Sequence, residues 1–226
     1  KPCGLMDQMA CAVGGFVSID FENPKSPKIS KVDFDFAKSG YRLCIVDTGG
    51  CHADLTDEYA AIPKEMKSVA AFFGKDCLRQ VDKDLFYGSL GELHGKVSDR
   101  AILRAVHFFD DNQTVVDEAR ALRNGDIEEF KRLIIKSGNS SFMYLQNVFS
   151  KKTTDEQGLA LALSISQHIL EGKGAWRVHG GGFAGTIQAF VPKALLDKYI
   201  EAITAVFGES SCNVLNIRPV GGIRLV

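Results

Sequence analysis

Between Trp176 and Val191 the chain reads W-R-V-H-G-G-G-F-A-G-T-I-Q-A-F-V, and this stretch limits its fold most firmly. Residues 175–178 and 186–191 mix apolar and polar faces as strands do, and three glycines stand between them. The pattern predicts a hairpin. Gly180, Gly181 and Gly182 lack a Cβ, so the backbone there can take positive φ and approach another surface closely; Gly185 extends that freedom. Two uses fit equally simple physics: a tight turn against a packed neighbour, or a loop that offers backbone N–H groups to a phosphate. The residues alone leave both open.

The rest of the chain sets the frame. Its 226 residues suffice for one large domain or two small ones. Basic and acidic residues nearly balance, 27 against 28, which argues against a dedicated nucleic-acid binder. The six cysteines include no C-x-x-C pair, so the expectation is a reducing, cytoplasmic compartment and no metal site. No apolar run is long enough for a membrane span. The chain starts Lys1-Pro2-Cys3, without an initiator methionine and already patterned, and is read as a piece of a longer polypeptide.

Read in order, residues 5–12 suit a short helix with Asp7 near its start, and an aspartate there can simply cap free N–H groups. Residues 16–21 and 31–36 alternate as a strand pair, and residues 41–47 form a third strand ending at Thr48-Gly49-Gly50. Thr56 is expected to cap a helix to about Phe73, with Asp57 and Glu58 in its first turn. Ser98 caps a long helix to Arg123, Asn124-Gly125 stops it, and Asp126 with Glu129 opens the next. That second helix draws Phe130, Leu133, Ile134, Phe142 and Leu145 to its apolar side, and Gly138 is a point where it can bend. Residues 150–154 read as a polar linker, 155–170 as a helix. Pro192 begins another helix to Phe207, and strands are expected at 214–217 and 222–226. The class is α+β, with helices layered on one face of an antiparallel sheet.

Candidate chemistry is sparse on this reading. His179 can touch a ligand beside the glycines or be a hydrogen-bonded residue at a strand end. His52 follows the break after the third strand. His94, His107 and His168 lack metal-ligand spacing. The glycine loop is read as neither a dinucleotide fingerprint nor a Walker A loop.

Four segments taken together resemble one family. Cys3-Gly4-Leu5-Met6-Asp7-Gln8 is similar to the G-[IL]-M-D-Q segment of galactokinases, within the GHMP small-molecule kinases. H-A-D-L-T-D-E-Y, from His52 to Tyr59, resembles their H-x-x-x-x-x-[ED]-Y segment. Arg123-Asn124-Gly125-Asp126 matches R-x-G-D, and V-H-G-G-G-F-A-G, from Val178 to Gly185, resembles the third signature, M-T-G-G-G-F-G-G. The order and spacing hold across nearly the entire chain. The resemblance implies an ATP- and Mg²⁺-dependent phosphorylation of galactose at its C1 hydroxyl. It implies Asp7 beside that hydroxyl as proton acceptor, the Gly4 backbone on the sugar side, the Tyr59 phenol on the sugar, and Gly180, Gly181 and Gly182 by the phosphates of ATP. It also implies residues 1–50 as the end of a GHMP N-terminal domain and 51–226 as a ferredoxin-like C-terminal domain.

The departures are equally definite. The early G-R-x-N-x-x-G-[ED]-H-x-D-Y segment and the second signature, P-x-x-x-G-[LM]-S-S-S-A, do not occur in the sequence. Val178-His179 replaces Met-Thr, Ala184 replaces glycine, and Ala60-Ala61-Ile62-Pro63 replaces an arginine-rich run. Residues 151–158 lack the usual P-E-L-D wording. The chain alone is therefore expected to be inactive, with self-association through exposed sheet edges. A kinase for another sugar of the superfamily, or a non-catalytic galactose- and ATP-binding regulator, are the alternatives.

Overall fold

The computed structural model describes residues 6–23, 25–50 and 55–222. A short helix, α1 (Met6–Val13), leads into an antiparallel pair, β1 (Phe16–Asp20) and β2 (Lys28–Val32), in the register Phe16 to Val32 and Asp20 to Lys28. Strand β3 (Tyr41–Asp47) belongs to a different sheet. Helix α2 (Thr56–Phe72) follows, then the short helices α3 (Lys83–Gly88) and α4 (Leu90–Leu93), and the long pair α5 (Asp99–Arg123) and α6 (Ile127–Ser140). A π-helical turn, Ser141–Leu145, extends α6. Helix α7 (Gly158–Leu170), the hairpin β4 (Ala175–Val178) and β5 (Thr186–Pro192), helix α8 (Leu196–Phe207) and strand β6 (Cys212–Leu215) complete the order.

The four-stranded sheet runs β4-β5-β3-β6, and every neighbouring pair is antiparallel. Strands β3 and β4 are thus parallel to each other with β5 between them, and β6 returns through α8 to the far side of β3. This is the split βαβ order of ferredoxin-like folds. Strand β3 bonds on both edges to strands from the last third of the chain.

Helices cover both faces of this sheet, not one. On one face Cys44, Val46, Ile187, Ala189 and Val191 pack against Leu159, Ala162 and Ile169 of α7 and Tyr199 and Ile203 of α8. On the other, Ala175 and Phe190 meet Ala119 and Leu122 of α5 and Phe130, Leu133 and Ile134 of α6. On β5, Ile187, Ala189 and Val191 line the first face, while the bulky Phe190 with Ala175 of β4 gives the second face its apolar centre, which α5 and α6 cover. Phe190 stacks edge-on against Phe36 and Phe130, with ring centroids 5.7 and 5.2 Å away. A third cluster, with Val69, Ala70, Phe86, Leu93, Ala105 and Phe109, holds α2 and the short helices to the first half of α5.

Local chemistry explains the element ends. Ser98 accepts from the Ala101 N–H to start α5, and Asp126 accepts from the Glu129 N–H at 3.0 Å to start α6. Several boundaries differ from expectation. Leu55, not Thr56, occupies the cap position of α2, and the helix runs on through Pro63. The alternation over 31–36 gives buried Val32 and Phe36, yet the ladder stops at Val32 because Asp35 caps a 3₁₀ turn, Phe36–Lys38, by accepting from the Ala37 N–H. The π-helical turn rotates Phe142 out of the apolar face of α6 and leaves it exposed. Helix α6 continues unbroken through Gly138, which lies flat against Arg177. Helix α7 begins at Gly158, Pro192 ends β5 rather than starting a helix, and β6 lies two residues before its expected start. The strand expected at 222–226 lies outside the described residues beyond Gly222. Among the described residues no helix is long and apolar enough to cross a membrane.

Candidate active site

The glycine loop closes the hairpin between β4 and β5, whose register runs from Ala175 opposite Phe190 to Val178 opposite Ile187. The His179 N–H donates to the Thr186 C=O at 3.0 Å and ends the ladder. Gly180, Gly182, Phe183 and Gly185 then all adopt positive φ, from 63° to 92°. Gly180, Gly182 and Gly185 do follow G-x-G-x-x-G spacing, but the loop joins two antiparallel strands and opens no helix, the context a dinucleotide fingerprint requires.

Three elements grip this loop. From α2, the Tyr59 hydroxyl donates to the Gly182 C=O at 2.8 Å, and its ring lies flat on Gly181, where a Cβ would fall 2.7 Å from Cε1. The same ring meets Phe183 edge-on at 5.5 Å. Burial pushes the Tyr59 phenol above its ordinary range, so it stays protonated and remains a donor. From the segment after the π-helical turn, the Asn147 C=O accepts from the Phe183 N–H at 2.5 Å and Asn147 Nδ2 donates to the Gly181 C=O at 3.2 Å. From the end of β3, the Thr48 N–H and Oγ1 both donate to the Gly185 C=O, at 2.9 and 2.8 Å.

A buried charge cluster fixes the elements that carry these residues. Arg104 is fully buried in α5; its Nη1 donates to Glu65 of α2 at 2.9 Å and its Nε to the Leu145 C=O at 3.1 Å. Arg100 donates to both oxygens of Glu65. Burial lowers the Arg104 pKa, against the opposing pull of Glu65. Glu58, next to Tyr59 and buried, accepts from Ser150 Oγ at 3.2 Å. Helices α2 and α5 and the π-helical turn are therefore bonded into one frame behind the loop.

Phe183 stands between two clefts. One, of about 230 Å³, is polar and lined by Thr48, Gly50, Ser150, Thr153 and Glu156 with the first residues of α7. The other, of about 470 Å³, is lined by Glu58, Arg100, Arg104, Lys151 and Met143.

Of the residues singled out from the sequence, Tyr59, Gly180, Gly181 and Gly182 meet here. Asp7 is exposed in the first turn of α1, and among the described residues no hydrogen bond or ion pair joins it to the loop. Gly4 and His52 lie outside the described residues. His179 is exposed, with Nδ1 3.0 Å from Gln188 Oε1 in the next strand. Asn147 escaped the sequence reading, because nothing in Q-N-V-F-S marks a buried asparagine.

The loop's backbone fits a phosphate. The N–H groups of Gly180 and Gly181 make no hydrogen bond among the described residues, and both glycines are exposed at the turn's tip. A magnesium ligand set is not offered in the same way: among the described residues no group of three His, Cys, Asp or Glu could hold a metal ion.

Known proteins resemble the chain along its length. No protein-family model matches it. The galactokinase of Actinobacillus succinogenes is 30% identical over 211 residues, covering 92% of this chain and 50% of that protein. The galactokinase of Actinobacillus pleuropneumoniae is 26% identical over 208 residues, again 92% of this chain and 50% of its own length. The chain thus spans about half the length of these curated relatives. The crystal structure of Lactococcus lactis galactokinase complexed with galactose superposes with a TM-score of 0.74 at 20% identity, over 100% of this chain and 57% of that one. L. major mevalonate kinase in complex with R-mevalonate gives 0.60 at 14% identity, over 98% of this chain and 55% of that one. By sequence likeness and fold together, the chain is a galactokinase-like polypeptide of the GHMP-kinase fold.

Proposed function

We propose that the protein to which this chain belongs transfers the γ-phosphoryl of ATP to the C1 hydroxyl of galactose. The observation that carries the reading is the glycine loop, held by Tyr59 and Asn147 with the Gly180 and Gly181 N–H groups left for a phosphate. The likeness to galactokinases across 92% of the chain supports the same substrates. Transfer is direct and in line, with no phosphoenzyme. Asp7 accepts or orients the proton of the attacking hydroxyl, Gly4 and Tyr59 face the sugar, and Gly180, Gly181 and Gly182 lie by the phosphates. Mg²⁺ would come bound to ATP and would supply neutralisation of the phosphate charge. The setting is cytoplasmic. The border between the two domains of the parent lies ahead of β3, since that strand is bonded into the later sheet.

The 226 residues by themselves turn over negligibly, because the sequence holds neither the early arginine-bearing segment nor the serine-rich phosphate signature. Strand β6, an edge with Val214 and Leu215 exposed, favours pairing between copies. The deciding assay supplies galactose, other sugars with a free C1 hydroxyl, and MgATP to the full-length polypeptide. Galactose 1-phosphate supports the proposal. Phosphorylation of a different sugar alone replaces galactose, binding without product makes the protein a regulator, and no binding of either substrate defeats the reading.

A further inference from the structure

Asn147 is 2% exposed, yet among the described residues its side chain makes a single hydrogen bond, from Nδ2 to the Gly181 C=O, and its buried Oδ1 has no partner. An unsatisfied buried acceptor is costly, so a side chain kept there must offer something else. Its backbone meets the same loop. The Asn147 C=O holds the Phe183 N–H, and a Cβ on Gly182 would lie 2.0 Å from that oxygen. The segment reaches this position by an unusual route: a π-helical turn, then Gln146 in the left-handed region at φ 58°, its N–H donating to the Ser141 C=O at 2.8 Å. A π-helical insertion re-aims the residues that follow it.

Peptide planarity turns these contacts into orientation. In a trans peptide the C=O and N–H point in opposite directions. Asn147 pins the Gly181 C=O inward and Tyr59 pins the Gly182 C=O. These two planes carry the Gly182 and Phe183 N–H groups and fix the base of the turn; the Gly180 and Gly181 N–H groups, unbonded among the described residues, lie in the two planes just before that base, at the exposed tip.

We propose that Asn147 is a positioning residue for phosphate binding: its amide and carbonyl together set the conformation in which the Gly180 and Gly181 N–H groups face a phosphoryl oxygen. The phosphate half of this inference rests on the kinase reading above; the orientation half does not. Asn147→Asp is nearly isosteric and places an oxygen where Nδ2 donates, so the Gly181 C=O meets an acceptor and the plane turns. Asn147→Leu removes donor and orphan acceptor together, so folding is expected to hold while the grip on Gly181 is lost.

The test is amide-resolved NMR on the 226-residue chain and both variants, first without ligand and then titrated with MgATP, with urea unfolding alongside. In the unvaried chain the Gly180 and Gly181 amide resonances should shift as MgATP is added. In both variants hydrogen exchange over residues 181–183 should quicken about tenfold, the scale of one hydrogen bond, and the MgATP midpoint should rise by a similar factor. For Asn147→Leu these changes should come without a matching loss of global stability, which separates positioning from a general structural role. Loop exchange equal to that of the unvaried chain in both variants overturns the inference. Absence of any MgATP response in the unvaried chain overturns the phosphate half; the kinase reading is decided separately by the full-length assay, and the ligand-free exchange still decides the orientation half.

Discussion

Replacing Gly182 by alanine should cost far more stability than replacing Gly180, although both residues have positive φ, 75° and 66°. The difference is in what surrounds them. A Cβ on Gly180 meets nothing within 4 Å, whereas one on Gly182 would lie 2.0 Å from the Asn147 carbonyl oxygen and 2.7 Å from its Nδ2. At Gly180 the change introduces left-handed strain of about 1 kcal/mol. It recovers about 0.5–1 kcal/mol by restricting the unfolded chain. The net effect should stay within about 1 kcal/mol. At Gly182 the same two effects nearly cancel, and the overlap remains. The loop must then leave Asn147, which breaks the bonds from Phe183 N–H to Asn147, from Asn147 to the Gly181 C=O and from Tyr59 to the Gly182 C=O. At about 1 kcal/mol each, the loss is about 3 kcal/mol. For a chain of this length the melting temperature should fall by roughly 6–12 °C. Urea unfolding followed by the fluorescence of Trp176, the sole tryptophan and part of β4, reads both variants directly. Equal, small losses for the two alanines would refute the claim that Asn147, rather than backbone conformation alone, demands glycine at 182.

Three further outcomes follow from the frame and core. Glu65→Ala strands the buried Arg104 without its carboxylate and should destabilise the fold by about 3–5 kcal/mol in urea unfolding, with Glu65→Gln intermediate. Burial pushes the Glu118 carboxyl in α5 up to about 7 from an ordinary 4.5, against the pull of Arg177. The folded state therefore holds this proton more tightly than the unfolded chain, and stability falls as pH rises from 4.5 through about 7. At about 1.4 kcal/mol per pH unit the loss reaches about 3.5 kcal/mol, so Glu118→Gln should exceed the unvaried chain by up to that much at pH 8 and match it at pH 4. His107, whose pKa burial lowers, acts in the opposite direction at acid pH but is common to both proteins and cancels in the difference. Asp126→Ala should cost about 1 kcal/mol by removing the cap on the Glu129 N–H, measurable by the same unfolding curves.

The elements legible in the sequence are those whose cause is local. Ser98 and Asp126 cap where expected because a cap needs only its own helix. The β4–β5 hairpin and β3 likewise follow from short-range pattern. What failed to show depends on partners far along the chain. The apolar alternation through Val32, Phe34 and Phe36 marks burial correctly, yet a side-chain bond from Asp35 ends the ladder early. Coverage of both sheet faces was hidden because β5 mixes small and aromatic apolar residues with Gln188, and a partly polar strand reads as one-sided until α6 and α7 are seen on opposite sides. The site divides in the same way. Three consecutive glycines state that close approach or unusual backbone is needed, but not what approaches. Tyr59 supplies the answer at Gly181 and Asn147 at Gly182, 122 and 35 residues earlier in the chain. Gly180, with nothing against it and its N–H unbonded, is the one of the three whose glycine is left to conformation and to a ligand. Of the two readings that the sequence left as rivals, the packing corner is present at Gly181 and Gly182, and the phosphate loop is the proposal that the open position at Gly180 leaves room for.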